Sequence, residues 1–268
     1  MVKESKKIVI IGSGNLATHF ANLFVKKGHE IIQFVGRNPE TLNTLSTKYF
    51  TTNTTDLSKI NNAGDIYVLC VSDKEIKNVA SKLKLAGKLV LHTSGTANIN
   101  SLKGVSAKLG VLYPLQTFTA NDKVKWSKVP FLIEGNTKIA ETELHNFCSS
   151  LTKKINIVSS ADREKIHLAA VLVSNFNNHL FSLADDFLQK EKINHFKLLI
   201  PLIQQTTKKI KKINPAEAQT GPAQREDQET IKKHLSLLKN YPETIKVYEA
   251  LSDSILKLKH AKLQRKAN

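Results

Sequence analysis

The stretch Lys7-Ile-Val-Ile-Ile-Gly-Ser-Gly-Asn-Leu-Ala17 decides the fold of this chain. Its β-branched run, Ile8–Ile11, predicts a strand buried on both faces, as in a parallel sheet. Gly12, Gly14 and Ala17 follow at the G-x-G-x-x-G/A spacing of a dinucleotide-binding turn. These small residues permit, in order, a tight turn, close approach of the backbone to a pyrophosphate, and packing of the next helix against its strand. The alternative is a glycine-bearing turn that binds no ligand.

Strands alternate with helices through the first half of the chain. After the first strand, strands are predicted at residues 30–35, 49–51, 65–71, 89–92, 107–113, 129–133 and 155–158, and helices at 15–27, 38–48 and 137–151. This alternation predicts an α/β fold with a Rossmann-like, doubly wound, mainly parallel sheet. We assign residues 1–158 to this dinucleotide-binding domain.

The pattern changes after Val158, since no strand signal remains. One helix is predicted from Ser159 or Ser160 to Glu191, and others at residues 196–212, 227–239 and 242–261. Residues 159–268 are therefore predicted to form an all-helical domain for substrate binding and dimerisation.

Charge and cysteine content narrow the class of protein. The 268 residues carry a net charge of +17, but nearly all of it comes from lysines spread along the chain, whereas phosphate recognition favours arginine. We therefore expect a solvated lysine surface and no nucleic-acid partner, the alternative being a nucleic-acid or anionic-surface role. Cys70 and Cys148 are the only cysteines, so neither a disulfide framework nor a cysteine metal site is predicted. With no signal peptide or transmembrane segment evident, we expect a cytoplasmic protein without a membrane partner.

The end of the second strand bears on the choice of cofactor. An acid about 20 residues after the glycines binds the ribose of NAD, but here the sequence reads Gly36-Arg37-Asn38-Pro39. Arg37 could pair with a 2′-phosphate, which a carboxylate would repel. The sequence thus favours NADP (NADPH) over NAD, the alternative being an ordinary exposed arginine in a turn.

Ligands of doubly wound sheets bind at the carboxyl ends of the strands. The strand ends at Gly12, Arg37, Val71, His92 and Tyr113 are therefore expected to converge on one crevice. The residues predicted to bind the cofactor are Gly12, Ser13, Gly14, Asn15, Leu16, Arg37, Val71, Ser72 and Ser94.

The first predicted helix of the C-terminal domain carries an uncharged polar stripe. His167, Ser174, Asn175 and Asn178 lie opposite or beside its apolar face, in a chain where 24% of residues are charged. Such a stripe suggests burial against polar partners, a ligand or a second subunit; a neutral solvent face or core hydrogen bonding is the alternative. A later loop rich in turn formers adds Gln219, Thr220 and Arg225, which are able to meet a substrate.

Several stretches resemble known oxidoreductases. Ile10–Ala17, Val35–Asn38 and Asp65–Val71 are similar to the N-terminal domains of pyrroline-5-carboxylate reductase and the deazaflavin-dependent NADP oxidoreductases. The whole chain resembles a bacterial oxidoreductase family that joins such a Rossmann-like domain to a helical domain of unknown function. That match is carried by His92–Gly95, Tyr113–Phe118, His167–Val171, Ser174–His179, Gln219–Arg225 with Asp227, and His234-Leu235. The resemblance implies the fold and a nicotinamide cofactor, and it leaves the substrate open.

The chain departs from the related β-hydroxyacid dehydrogenases, which place a catalytic lysine and an asparagine one turn apart on the interdomain helix. Lys165 lies too early to take that place, so His167 is the candidate acid or base, with His92 as its rival. Asn175 and Asn178 would hold the substrate. Alternatively, the reaction is reduction of an imine, whose protonated form accepts hydride directly and asks less of the protein.

We therefore expect an NADPH-dependent reductase of a small anionic imine or carbonyl compound. The predicted substrate contacts are Ser94, Gln116, Ser174, Gln219, Thr220 and Arg225. A non-catalytic NADP-binding sensor or interaction protein is the alternative. Leu168 and Leu172 lie off the main apolar face of their helix, so a homodimer through the C-terminal helices is also predicted.

Overall fold

The computed structural model describes residues 4–267. Its strands are β1 (Lys7–Ile11), β2 (Glu30–Val35), β3 (Thr52–Thr54), β4 (Ile66–Leu69), β5 (Leu89–His92), β6 (Lys108–Pro114), β7 (Phe131–Gly135) and β8 (Ile155–Ile157). They form one sheet in the order β3-β2-β1-β4-β5-β6-β7-β8. The pairing is parallel throughout except between β6 and β7. The predicted doubly wound, mainly parallel sheet is confirmed.

Helices connect and follow these strands. The first five are α1 (Asn15–Lys26), α2 (Pro39–Tyr49), α3 (Asp73–Ser81), α4 (Lys138–Leu151) and α5 (Ser160–Ala170). After a π-helical turn, Val171–Asn175, come α6 (Phe176–Lys190), α7 (Ile200–Lys209), α8 (Pro215–Ala218), α9 (Pro222–Arg225), α10 (Gln228–Leu237) and α11 (Pro242–Ala267). The predicted helical C-terminal region is also confirmed. The π turn interrupts the uniform helical spacing assumed from the sequence.

The central strand β1 is buried on both faces, as its β-branched run predicts. Ile8 and Ile10 join one apolar layer, built with α1 and α4. Val9 and Ile11 join the layer on the opposite face, which includes residues of α3. The alternation of side chains along the strand thus supplies both halves of the core.

The third strand is displaced from its predicted position at 49–51. Tyr49 is the last residue of α2, and Phe50 takes a left-handed backbone conformation with φ 51° that ends this helix. The strand consequently begins only at Thr52. Tyr49 is retained in the helix with its ring packed against Phe34, the centroids 5.6 Å apart.

The chain forms two compact units, one ending at Val173 and the other beginning at Ser174. The sheet ends at Ile157, close to the predicted boundary after Val158, and α5 belongs to the first unit. Among the side chains described in the second unit, only Ala223 and Leu238 are buried. Within the described part of the chain, no helix combines the length and hydropathy needed to cross a membrane.

Candidate active site

Gly12 follows β1 in a backbone conformation that favours glycine. Its φ of +128° lies in the region that L side chains rarely adopt, and its N–H donates to the Val35 carbonyl at 2.7 Å. A Cβ at this position would collide with the carbonyl oxygen of Cys70 at the end of the neighbouring strand β4. Gly12 is therefore needed for the turn and for the close approach of two strand ends.

Gly14 has a different role, because it faces open space. It is the N-cap of α1 with an ordinary φ of −81°, and a Cβ there would meet no described atom within 4 Å. No side chain in the described part of the chain caps this helix. Ala17 is fully buried, so the helix packs tightly against the sheet. The uncapped N–H groups and the helix dipole suit a phosphate at this end of α1.

A cleft of about 480 Å³ opens at this turn. It lies at the carboxyl ends of β1 and β4, where the strand order reverses, which is the ligand-binding position of doubly wound sheets. Six of the predicted cofactor-binding residues line it: Gly12, Ser13, Gly14, Arg37, Val71 and Ser72. The geometry fits a dinucleotide, with the pyrophosphate over the glycine turn.

The other three predicted cofactor-binding residues make local contacts instead. The Asn15 amide donates to the Phe118 carbonyl at 3.3 Å, and Leu16 packs against the core. The Ser94 hydroxyl accepts from the N–H groups of Thr96 and Ala97 at 3.0 and 2.8 Å. None of the three lines the cleft as the structure describes it.

The part of the cleft next to the end of β2 carries both signs of charge. Arg37 Nη1 lies 4.0 Å from Glu75 Oε1, and the Arg37 side chain is 86% exposed. Glu75 and Lys82 line the cleft from α3 and its C-cap. Neither was expected from the sequence, because they come from a helix some 40 residues beyond Arg37. Glu75 supplies a carboxylate that the end of β2 lacks.

A second group of polar residues gathers at the ends of β5 and β6. The Tyr113 hydroxyl lies 3.0 Å from Nδ1 of His167, and the two rings stand edge to face with centroids 5.8 Å apart. Gly95 is buried beneath them, since a Cβ there would lie 2.5 Å from His167 Nδ1 and 3.0 Å from Tyr113 Cζ. Three motifs that are far apart in sequence thus meet at one imidazole.

The helix that carries His167 is anchored by a buried ion pair. Arg163, one turn before His167 on α5, is fully buried. Its Nη1 donates to the Glu134 carboxylate at 2.6 Å, and its Nη2 donates to the Ala97 carbonyl. Ser160 Oγ lies 3.2 Å from the same Nη2 and donates to Glu134 at 2.6 Å. These contacts hold α5 against the ends of β5 and β7.

The rival histidine, His92, is fully buried at the end of β5. Its Nδ1 accepts from the Ser94 N–H at 3.2 Å, so the neutral ring carries its proton on Nε2. Among the described residues, Nε2 has no hydrogen-bond partner. Burial, and then the positive charge of Arg163, lower the pKa of His92 to about 3. His92 is therefore neutral at physiological pH.

The other residues predicted to bind the substrate or take part in catalysis are more exposed than His92. Gln116 is exposed, and its side-chain oxygen accepts from the Thr117 N–H at 2.9 Å. Ser174 and Asn175 belong to the π-helical turn, a feature frequent at functional sites. Asn178, Gln219, Thr220 and Arg225 lie in the second unit, where the Gln219 amide donates to the Thr220 carbonyl at 2.8 Å.

Comparison with known proteins identifies the family. Residues 7–95 match the family described as NADP oxidoreductase coenzyme F420-dependent, and residues 129–255 match the domain of unknown function DUF2520. The crystal structure of the putative NADP oxidoreductase BF3122 from Bacteroides fragilis is 34% identical in sequence, with a TM-score of 0.86. That match covers 94% of this chain and 98% of the Bacteroides chain. The chain belongs to the same NADP oxidoreductase family as this Bacteroides protein.

Other members of the wider fold are more distant from this oxidoreductase. Pyrroline-5-carboxylate reductase from Streptococcus pyogenes is 12% identical with a TM-score of 0.59, covering 94% of this chain and 99% of that chain. An imine reductase from Aspergillus terreus, solved with NADPH4 and dibenz[c,e]azepine, is 15% identical with a TM-score of 0.63, covering 94% of each chain. At these identities the likeness shows the shared fold.

A curated relative matches part of the chain. The glycerol-3-phosphate dehydrogenase [NAD(P)+] of Staphylococcus epidermidis is 26% identical over an alignment of 117 residues, and the match covers 38% of this chain. The match spans only 35% of the dehydrogenase.

Proposed function

We propose that the protein is an NADP(H)-dependent reductase that transfers hydride to a small anionic imine or carbonyl compound. The observation that carries the proposal is the open glycine turn. Gly14 faces empty space at the uncapped start of α1, where a pyrophosphate fits without displacing any described side chain. The named relatives include NADP-binding and imine-reducing proteins of the same fold.

The charges of the cleft favour NADP over NAD. Arg37 and Lys82 both line it, and Arg37 is largely exposed beside Glu75 at 4.0 Å, a distance that leaves its guanidinium free to turn towards a 2′-phosphate. Among the described residues that line the cleft, Glu75 is the only acid, and it would oppose a phosphate. Its carboxylate could instead accept a hydrogen bond from a ribose hydroxyl.

His167 is the proposed proton donor. NADPH, when bound, would supply the hydride that reduces the acceptor carbon. His167 would supply the proton that a carbonyl oxygen takes up as it is reduced, or that an imine nitrogen must carry in order to accept the hydride. His92 is less suited, because its low pKa leaves it without a proton to give as an imidazolium. Asn175 and Asn178 are proposed to hold the substrate, and Ser94, Gln116, Ser174, Gln219, Thr220 and Arg225 remain its candidate contacts.

The test is oxidation of NADPH with a panel of keto acids and cyclic imines. We expect turnover of at least one compound, and loss of most of that turnover in His167→Gln with cofactor binding retained. Tight NADPH binding without turnover across the panel would instead favour the non-catalytic sensor. No binding of either dinucleotide would refute both functions.

We also propose a homodimer formed through the C-terminal helices. Large apolar side chains are exposed there, including Phe176, Leu202, Leu237 and Leu258, which are 55%, 64%, 65% and 70% exposed. A second copy of the same helices would remove this apolar surface from water.

The free thiols of Cys70 and Cys148 are consistent with the reducing cytoplasm, where we place the reaction.

A further inference from the structure

We propose that Tyr113 is the positioning residue of His167, and that its hydroxyl holds Nδ1 in both protonation states so that Nε2 is the atom that transfers the proton. The proton-transfer part rests on the proposed function; the positioning part does not. The observation is the 3.0 Å contact between the Tyr113 hydroxyl and His167 Nδ1.

The chemical nature of the partner matters. A hydroxyl both donates and accepts, whereas a carboxylate only accepts and an ammonium only donates. When His167 is neutral, the Tyr113 O–H can donate to Nδ1; when His167 is protonated, the same oxygen can accept from Nδ1–H. The hydrogen bond therefore survives loss and gain of the proton, and the imidazole need not turn during the cycle.

The surroundings leave the imidazole little freedom. Gly95 allows the imidazole to lie directly against the backbone, because any larger residue would put a Cβ 2.5 Å from Nδ1. The edge-to-face contact with Tyr113 packs the ring from another side. One turn earlier, the buried pair of Arg163 and Glu134 fixes the helix itself. These constraints direct Nδ1 to Tyr113 and leave Nε2 for the substrate.

Tyr113 is suited to remain a phenol. Burial, and then the nearby Asp73 carboxylate, raise the pKa of Tyr113, while the Arg163 charge opposes them. The hydroxyl consequently keeps its proton through the physiological range and can serve as the donor to neutral His167.

The positioning is tested without any substrate. In protein labelled with ¹⁵N-histidine, the ring signals of His167 are identified by their loss in His167→Gln. At a pH where His167 is neutral, we expect the wild type to show one tautomer, with Nε2 protonated and Nδ1 accepting a hydrogen bond. Tyr113→Phe should give a mixture of tautomers. Unchanged His167 signals in Tyr113→Phe would overturn the proposal.

Two further variants sharpen the test. Tyr67→Phe removes another tyrosine hydroxyl from the sheet, one that donates to the Asn61 carbonyl at 2.7 Å, and should leave the His167 signals as in the wild type. Gly95→Ala should displace the imidazole and alter them. A response to Tyr67→Phe equal to that of Tyr113→Phe would show a general loosening of the sheet and overturn the specific role.

The kinetic arm separates this inference from the proposed function. With a compound that the wild type reduces, Tyr113→Phe should lower kcat about ten-fold or more, because the imidazole loses its alignment, with little change in KM. An unchanged kcat would refute the contribution to proton transfer. If the wild type reduces nothing while the NMR response persists, the proposed function fails and the positioning of His167 stands.

Discussion

Replacing His92 with asparagine should remove a specific part of the protein's sensitivity to acid. His92 is fully buried, and its pKa falls from 6.5 to about 3 because burial disfavours the charged ring and Arg163 repels it. In the unfolded chain the ring titrates normally. Below about pH 6.5 His92 therefore binds a proton in the unfolded state but stays neutral in the folded state. The free energy of unfolding consequently falls as the pH is lowered from about 6.5 towards 3.

The size of this loss follows from the two pKa values. Each pH unit between them costs about 1.4 kcal/mol of unfolding free energy. Between about pH 7.5 and pH 5 the loss assigned to His92 is about 2 kcal/mol. Asparagine does not titrate, and its side-chain oxygen can still accept from the Ser94 N–H. His92→Asn should therefore lose about 2 kcal/mol less than the wild type over the same interval, whatever its stability at neutral pH.

The fluorescence of Trp126 provides the assay. It is the only tryptophan in the chain, and its ring is stacked on Phe20 with centroids 5.5 Å apart, so it reports unfolding of the unit that holds His92. Urea titrations of both proteins at the two pH values give the four unfolding free energies. An equal pH dependence in wild type and His92→Asn would show that folded His92 binds a proton as easily as the unfolded chain does, and the reasoning would be wrong.

Four other perturbations test separate parts of the structure. In titration calorimetry, Arg37→Glu should weaken NADPH binding by about 1–3 kcal/mol and leave NADH binding unchanged. Lys138→Glu, an equal change of charge outside the cleft, should leave the binding of both cofactors unchanged. Equal losses of NADPH and NADH binding in Arg37→Glu would contradict the 2′-phosphate role. Gly14→Val should abolish dinucleotide binding at nearly unchanged melting temperature, since its side chain would fill the open space that the pyrophosphate needs; retained binding would make the turn purely structural. Leu172→Glu should reduce both association and activity, because it charges a side chain that is 54% exposed and predicted to be covered by the second subunit; a monomeric wild type in light scattering at micromolar concentration would exclude the dimer. Glu134→Ala should lower the unfolding free energy by about 3–5 kcal/mol, since it leaves the buried Arg163 guanidinium without its carboxylate, and Glu134→Gln should lower it less. A loss below about 1 kcal/mol in urea titrations of Glu134→Ala would refute that account.

The fold could be predicted because its signals are local. The β-branched run Ile8–Ile11 and the small residues at 12, 14 and 17 specify a buried strand, a turn and a packed helix within a single stretch. The predicted position of the third strand, residues 49–51, was wrong because of one local backbone conformation that the residue types do not indicate. Phe50 adopts a left-handed conformation that favours glycine or asparagine, so the end of α2 carried no recognisable signal.

The lining of the candidate cofactor cleft could be predicted only where its residues follow the strands. Gly12, Gly14 and Arg37 stand at strand ends, and the rule that ligands bind there was enough to find them. Glu75 comes from the first turn of α3, and its approach to Arg37 depends on how that helix packs on the sheet. The lack of an acid at the end of β2 favours NADP, but the sequence does not reveal that α3 supplies an acid to the same part of the cleft.

The contacts of His167, the candidate proton donor, were even harder to predict from the sequence. His167 is a candidate because it is a titratable residue on the first helix predicted after the sheet. The residues next to it in the sequence do not indicate which side chains it contacts in the fold. Tyr113 lies 54 residues away and Gly95 further still, and each reads alone as an ordinary strand or turn residue. Arg163 looked like one of four scattered arginines, yet it is fully buried against Glu134. A buried charge is tolerated only with its partner in place, so the ion pair commits β7 and α5 to one arrangement. That arrangement in turn brings His167 to the Tyr113 hydroxyl, which is why the site emerges from tertiary packing and not from any one motif.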